Sequence, residues 1–388
     1  MKKVFFGMVA MAFLFASCEQ DPTENSVDQE VAQVDMSDFY LYTDAEADGK
    51  KTEDDKTKCY SMRNLNRLLN ENPGLHKKMY DVEQNTRSIL AKNGNGKGKP
   101  GSGGGGTTEP PVGDNLGIVD IPVVVHVIYS NSQQNISDAQ INSQISVLNE
   151  DFRASNNDAG NVPSEFAGLV VDSEISFTLA GVNRYSDSRS EWGTSDAMKY
   201  AYPPTSPSNT LNIWICNIGG GILGYAQFPG GPASTDGVVI SPQYFGTTGY
   251  VSAPFNKGRT ATHEVGHYLN LRHIWGDGRC RQDDFVADTP SSDGPNYSCP
   301  SYPTVNCRST DMTMNYMDYT NDNYVTMFSA GQVEVMNEIL EGEYDAETET
   351  TSIGYREYMW SAVNIAATGV SDGYLTPECE QKADYYID

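Results

Sequence analysis

Histidine, tryptophan and basic residues are scarce in this chain. Of 388 residues, five are His and four are Trp, and 26 Lys and Arg face 52 Asp and Glu, for a formal net charge of −26. That balance argues against nucleic acid or an anionic membrane surface as partner, because both need clustered cations. It suits a soluble extracellular protein and the binding of hard cations. Long apolar runs are missing too: beyond residue 16 no segment is long and apolar enough to cross a membrane. Seven cysteines, at 18, 59, 216, 280, 299, 307 and 379, are too widely spaced for a small disulfide scaffold. Together with an export signal they point to an oxidising compartment.

That signal occupies residues 1–17. Lys2 and Lys3 precede an apolar stretch, Val4 to Ala16, that ends in L-F-A-S-C. Small residues before a cysteine resemble a bacterial lipobox, which makes Cys18 the lipid-bearing first residue of the mature chain and its lipid the sole membrane contact. The alternative is a plain signal peptide cut near Ser17. Residues 18–57 are acidic and poor in aliphatics, the composition of a disordered tether. In 58–92, Met62, Leu65, Leu68, Leu69, Leu75, Met79, Val82 and Ile89 recur at helical spacing, broken at Asn72-Pro73-Gly74, which predicts two short helices. Residues 93–115 form a Gly-rich linker open to cleavage.

The main domain is expected over 116–345. Ile118 to Tyr129 reads as a central strand, with His126 packed inside it rather than binding metal. Ser137-Asp138 starts a helix with Ile141, Ile145, Leu148 and Phe152 on one face. Strands are expected at Ile175–Ala180, Leu211–Cys216, Tyr225–Phe228 and Gly237–Ser241, then helices at Gly258–Leu269 and Ala330–Leu340. This order predicts an α/β (α+β) fold with a mixed, twisted sheet, followed by an irregular C-terminal subdomain with one main helix. Residues 346–388 are an acidic tail without a functional reading.

Three of the five histidines fall in Thr262–His273, T-H-E-V-G-H-Y-L-N-L-R-H. On a helix His263 and His267 lie one turn apart and face the same way, with Glu264 beside them. A continuous helix would carry His273 to the wrong face, so the chain must turn sharply. Asn270 is placed to do it, since Asn tolerates a left-handed backbone. Three histidines with one open position are the ligand pattern of catalytic Zn²⁺. Glu264 is the general base in that reading.

H-E-V-G-H-Y-L-N-L-R-H resembles the extended zinc signature of the metzincin metalloproteases. N-Y-M-D-Y, at 315–319, resembles their methionine turn, with Met317 as a hydrophobic floor. H-I-W-G-D, V-A-D-T-P, D-M-T-M, L-N-I-W-I-C-N and G-Y-A-Q-F-P are similar to the pappalysin (M43, cytophagalysin) branch. The resemblance covers about 116–340 and implies a metzincin-like catalytic domain that cuts protein or peptide substrates. It implies that Tyr319 stabilises the oxyanion, that Cys280 and Cys307 are disulfide-bonded, and that Asp284, Asp288 and Thr289 bind Ca²⁺. A merely solvated acidic loop is the alternative for that last set. Lys58-Cys59 and M-R-N-L-N-R-L-L-N-E-N-P-G resemble the family's pro-segment, in which a cysteine blocks the open zinc position. A free or disulfide-bonded Cys59 is the alternative.

Two departures from the branch stand out. Tyr324 replaces the expected partner of Cys299, leaving Cys299 free or paired with Cys216 or Cys379. Asn323, beside Asp322, replaces an acidic residue of the S1′ pocket. The expectation is an exported zinc endopeptidase made as a zymogen, anchored by lipid to a bacterial outer membrane or cell surface, its catalytic domain open to release. A lipid-tethered binding protein on a protease-like scaffold is the competing class. The retained Glu264 speaks against it.

Overall fold

A computed structural model describes residues 34–42, 59–92, 117–341, 343–345, 350–352 and 356. The signal segment, Cys18, the linker at 93–115 and Cys379 lie outside the described residues. Among the described residues no helix is long and apolar enough to cross a membrane.

Strand β1, Val119–Tyr129, is buried along almost its whole length. It runs between two parallel neighbours, β2 (Ile175–Ser186) and β3 (Leu211–Ile215). Its run of Val and Ile therefore faces packed layers on both sides. The five-stranded sheet has the order β2-β1-β3-β5-β4. Within it β5 (Val238–Ile240) is parallel to β3, and the edge strand β4 (Gly224–Ala226) is antiparallel to β5. The mixed α/β sheet expected from the order of elements is present.

Two helices of the main domain cover one face of the sheet. Helix α3, Asp138–Phe152, starts at Ser137, whose hydroxyl accepts from Gln140 N at 3.2 Å. It buries Ile141, Leu148 and Phe152 with Ala261 and Val265 of α5, Arg259–Tyr268. On the opposite face Ile128, Trp214, Tyr225 and Val239 pack beneath Trp192 and Met198, the latter on the short helix α4, Ala197–Ala201. His126 is buried on the strand. It stacks on Trp214 and shares a 2.8 Å hydrogen bond through Nε2 with Asn212 Oδ1.

Several boundaries differ from expectation. Strand β2 continues to Ser186 rather than ending at Ala180. Val123 pairs with Leu179 and Val124 with Gly181, so Ala180 is the extra residue of a bulge beyond which pairing resumes. Phe228 is not in β4. It joins Leu41, Met62, Leu65, Leu68, Leu69, Leu75 and Met79 in an apolar cluster.

That cluster is built by the N-terminal piece. Helices Ser61–Glu71 and Leu75–Lys92 form as the spacing predicts, though the second has 18 residues and is not short. Residues 34–42, read as part of a disordered tether, are packed, with Leu41 only 2% exposed. Phe39, Tyr40 and Leu41 bury enough apolar surface to hold an otherwise acidic segment in place. The main domain also does not end cleanly at 345. Glu343–Asp345 pairs with Thr350–Ser352, and the buried Arg356 donates from Nε to Tyr268 O and from its Nη atoms to Asp236.

After α5 the chain is mostly irregular until α6, Ala330–Glu341. Cys280 and Cys307 are joined there in a disulfide. Cys216 is free and buried and Cys299 free and exposed, so the Cys216–Cys299 pairing is not formed. The bridge spans a sequence separation of 27 residues. Replacing both cysteines by serine is expected to lower unfolding free energy by about 3 to 4 kcal/mol in the loop-entropy account. Urea unfolding of the oxidised protein and the double variant checks this; equal midpoints would show that the loop is held by other contacts.

Candidate metal centre and active site

Helix α5 opens at Gly258, φ 80°, under the carboxylate of Asp322, which accepts from Lys257 N at 2.7 Å and Arg259 N at 3.4 Å. A carboxylate on these orphan amides favours the helix start. At the other end Asn270 adopts φ 74°. Asn270 N donates to His267 O at 3.0 Å and Leu271 N to Gly266 O at 2.9 Å. This is the paired bonding of a left-handed helix stop, and it swings the chain so that His273 returns towards the helix.

The three imidazoles meet as a result. One ligand atom from each of His263, His267, His273 and Cys59 lies within 4.8 Å of every other, and all four residues are buried. Each Nδ1 has a partner that can only accept: Tyr316 O at 2.6 Å from His263, Leu271 O at 2.7 Å from His267, and Asp277 Oδ1 at 2.6 Å from His273. The protons of neutral rings therefore sit on Nδ1, leaving lone pairs on Nε2. Yet His267 Nε2 and His273 Nε2 are only 3.1 Å apart, and His263 Nε2 has no hydrogen-bond partner. Burial first, then the neighbouring histidines, push His263 down to about 3 and His267 well below its ordinary value. Neutral rings aiming lone pairs at one another are repulsive unless a cation lies between them, so this donor set fits a metal ion such as zinc.

The methionine turn lies beneath the helix. Met317 is fully buried, and a Cβ on Gly266 would stand 2.6 Å from its Sδ. The turn is held by Asn315, whose Oδ1 accepts from Met317 N at 2.8 Å and whose Nδ2 donates to Gln332 Oε1 at 2.7 Å. Tyr319 packs edge-on against His273 and Trp275, with ring centroids at 4.9 and 4.8 Å. Its hydroxyl is 3.5 Å from Cys59 O.

Glu264 is buried on the same helix. Its Oε2 accepts from Ser61 Oγ at 2.7 Å and faces Cys59 Sγ at 3.3 Å. Burial pushes its carboxyl up to about 8, against those two donors. Burial, and next the Glu264 charge, raise the Cys59 thiol well above its usual range; a divalent cation at the histidines reverses that preference and favours thiolate. Cys59 bridges Gly224 in parallel, Tyr60 N donates to Gly224 O at 3.0 Å, and Ala226 N donates to Ser61 Oγ at 2.8 Å. The N-terminal piece thus occupies the free edge of β4.

Other expected positions separate. Thr289 Oγ1 donates to both oxygens of the buried Asp284, at 2.8 and 2.9 Å. Asp288 turns away and accepts from Ser329 Oγ and Gly331 N at the start of α6. Of the three residues read as calcium ligands, Asp284 and Thr289 bond to each other and Asp288 accepts at the start of α6. A cavity of about 30 Å³ beside His263 and Glu264 is lined by Leu223, Phe255, Thr260, Asp318, Thr320 and Asp322, among others, but not by Asn323. Asn323 lies outside it, beside the exposed Cys299. Burial raises Asp318 to about 7 and Asp322 to about 6.

Sequence reasoning missed the groups that fix the rings. Asp277 was visible in H-I-W-G-D, four residues after His273, without a role; the Tyr316 and Leu271 carbonyls leave no trace in residue identity. It also missed Ser61 and the ion pair of Arg67 with the fully buried Asp196, which Lys199 shares at 3.0 Å.

Fold and site together are those of a metallopeptidase with a metzincin-like catalytic domain. Residues 200–341 match the family model Peptidase_M43, described as Pregnancy-associated plasma protein-A. An extracellular metalloprotease of Arthroderma gypseum is 31% identical over 228 residues, 56% of this chain and 71% of that protein. Extracellular metalloprotease 1 of Coccidioides posadasii is 31% identical over 226 residues, 55% of this chain and 74% of that one. Among solved structures, mature mirolysin of Tannerella forsythia in complex with a cleaved peptide is 45% identical with a TM-score of 0.60, covering 65% of this chain and 98% of that one. A promirolysin mutant of the same organism is 39% identical with a TM-score of 0.64, covering 78% and 97%. The chain belongs to the Peptidase_M43, or pappalysin, family and is a metalloendopeptidase.

The close approach of Gly266 and Met317 is testable by itself. Alanine is worth up to about 1 kcal/mol over glycine inside a helix, whereas forcing a methyl into a packed contact costs about 1 to 3 kcal/mol. Gly266→Ala should therefore be destabilised by up to about 2 kcal/mol in chemical denaturation. A variant more stable than the parent would mean that Met317 does not press on the helix.

Proposed function

We propose that this chain is an exported zinc endopeptidase, anchored by lipid at Cys18 and made as a precursor that Cys59 keeps latent. The observation that carries the reading is the set of three Nε2 lone pairs converging beside Cys59 Sγ. Extracellular relatives support export, and the promirolysin structure supports a precursor. The substrates are proteins or peptides; the acidic chain offers nothing to nucleic acid.

His263, His267 and His273 hold the ion through Nε2. Zinc, when bound there, lowers the pKa of a water towards ~7 and polarises the scissile carbonyl. Glu264 takes the proton from that water and passes it to the leaving amine. Tyr319 donates from its hydroxyl to the developing oxyanion; burial keeps that phenol protonated and so able to donate. Met317 supports the rings from below without touching substrate.

Latency follows from three contacts made by the N-terminal piece. Cys59 would hold the ion with the three histidines, Ser61 occupies Glu264, and Tyr60 and Ser61 take backbone groups of β4 that an extended substrate would use. Cleavage within 93–115 releases residues 58–92 and the tether before them, leaving the 116–345 domain free of its anchor.

Glu264→Ala should bind zinc at the parental stoichiometry yet lose activity by a factor of about 10² to 10⁴, read with a fluorogenic peptide and by metal analysis of the same sample. Near-parental turnover would remove Glu264 from the reaction. Cys59→Ala should activate sooner than the parent. Cobalt in place of zinc should show a sulfur-to-metal charge-transfer band in the uncut parent only; equal spectra for parent and variant would take Cys59 off the metal.

A further inference from the structure

The segment 34–42 crosses the loop that follows the third histidine, and one side chain enters it. Tyr40 Oη lies 2.7 Å from Gly276 O and 2.7 Å from Asp283 O, while Asp283 N donates back to it at 3.2 Å. Two acceptors share the phenol proton and one donor meets its lone pair, so the hydroxyl is read from every side. Arg272 reads the main chain, donating from Nη2 to Tyr40 O at 2.7 Å. Its guanidinium also stands 5.0 Å from the Tyr40 ring centroid and 4.6 Å from that of Phe285. Phe285 closes the wall, edge-on to Tyr40 at 5.2 Å.

Two backbone features show that the space is shaped for this ring. Gly276 has φ +61°, and a Cβ there would stand 2.7 Å from Tyr40 Oη and 2.5 Å from Asp283 N. A side chain at 276 would crowd both the loop backbone at Asp283 and the phenol. Phe285 adopts φ 68°, a left-handed conformation that is strained for a bulky residue. Strain of that kind persists where its outcome is used, and here it turns an aromatic ring towards the socket.

Arg272, Gly276, Asp283 and Phe285 all belong to the main domain. Their occupant belongs to the N-terminal piece. Once that piece is cut away, two carbonyls, an amide, a guanidinium and an aromatic ring are uncovered a few residues from His273 and Asp277. We propose that this socket is a tyrosine-binding exosite of the processed enzyme, filled in cis by Tyr40 in the precursor and afterwards by a tyrosine on an extended stretch of protein substrate. The proposal rests on the reading that cleavage in the linker removes residues 34–42. The chemistry selects among side chains. Phenylalanine would leave both carbonyls unpaired and desolvated. A phosphorylated tyrosine would bring negative charge against those same oxygens. Contact with the backbone oxygen of the same residue favours an extended polypeptide over a free phenol.

The test uses enzyme processed from the full chain and freed of its N-terminal piece. The probes are three labelled peptides with the sequence of residues 34–42: the parent, Tyr40→Phe, and the form phosphorylated at Tyr40. Fluorescence anisotropy should show the parent binding about tenfold more tightly than the Tyr40→Phe peptide, and the phosphorylated peptide not at all. The parent peptide should slow cleavage of a folded protein substrate while leaving kcat/KM on a short fluorogenic peptide unchanged. Equal affinity of the Tyr and Phe peptides, or no saturation by the parent peptide at millimolar concentration, overturns the socket. Anisotropy is read independently of turnover, so absence of peptidase activity in the same sample counts against the catalytic reading and not against the exosite.

Discussion

Everything at the site depends on three imidazole protons being held on the outer nitrogens. Tyr316 O, Leu271 O and Asp277 can only accept, so each ring must donate from Nδ1 and aim a free lone pair inward. The backbone is arranged to supply these acceptors. The left-handed stop at Asn270 brings Leu271 O under His267, and the turn around Met317 brings Tyr316 O under His263. The metal site is thus a property of two turns and one carboxylate as much as of the histidines. Its ligands are preorganised by bonds that persist whichever ion is offered.

The N-terminal piece uses the same arrangement in reverse. It lies along the β4 edge of the sheet and brings a thiol, a hydroxyl and a peptide N–H to the site. Its hold on the main domain does not rest on Cys59 alone. Arg67 reaches the buried Asp196, which also serves Lys199 and Tyr225. Leu41, Leu65, Leu68 and Met79 bury with Phe228, and Tyr40 locks into the loop beyond His273. The contacts are spread over apolar, ionic and hydrogen-bonded patches, so the piece is docked by more than its thiol. It also explains why residues 34–42 are ordered within an acidic stretch.

The far flank behaves comparably. Arg356 is buried between Tyr268 O, at the end of the active-site helix, and the Asp236 carboxylate. A guanidinium taken out of water needs such paired acceptors to offset its desolvation. Nothing in the acidic, weakly patterned tail distinguishes this arginine from a solvated one.

The sequence by itself determined the elements whose side chains repeat with a clear period and the residues whose chemistry is rare in this chain. The Val- and Ile-rich β1, the Ser137-capped α3, the two helices before the linker and the H-E-x-x-H helix were all legible, as was the turn at Asn270. Each rests on interactions within a few residues. Tertiary structure alone decided the rest. Strand β2 extends past Ala180 because β1 continues to pair with it beyond the bulge. Asp288 leaves the acidic loop because α6 offers it two donors. Asn323 faces out while Asp318 and Asp322 line the cavity. Ser61 and Tyr40 acquire their roles from partners 203 and 243 residues away. Local propensity is written in neighbouring residues, but a hydrogen bond between distant segments depends on backbone positions that only the packed chain defines.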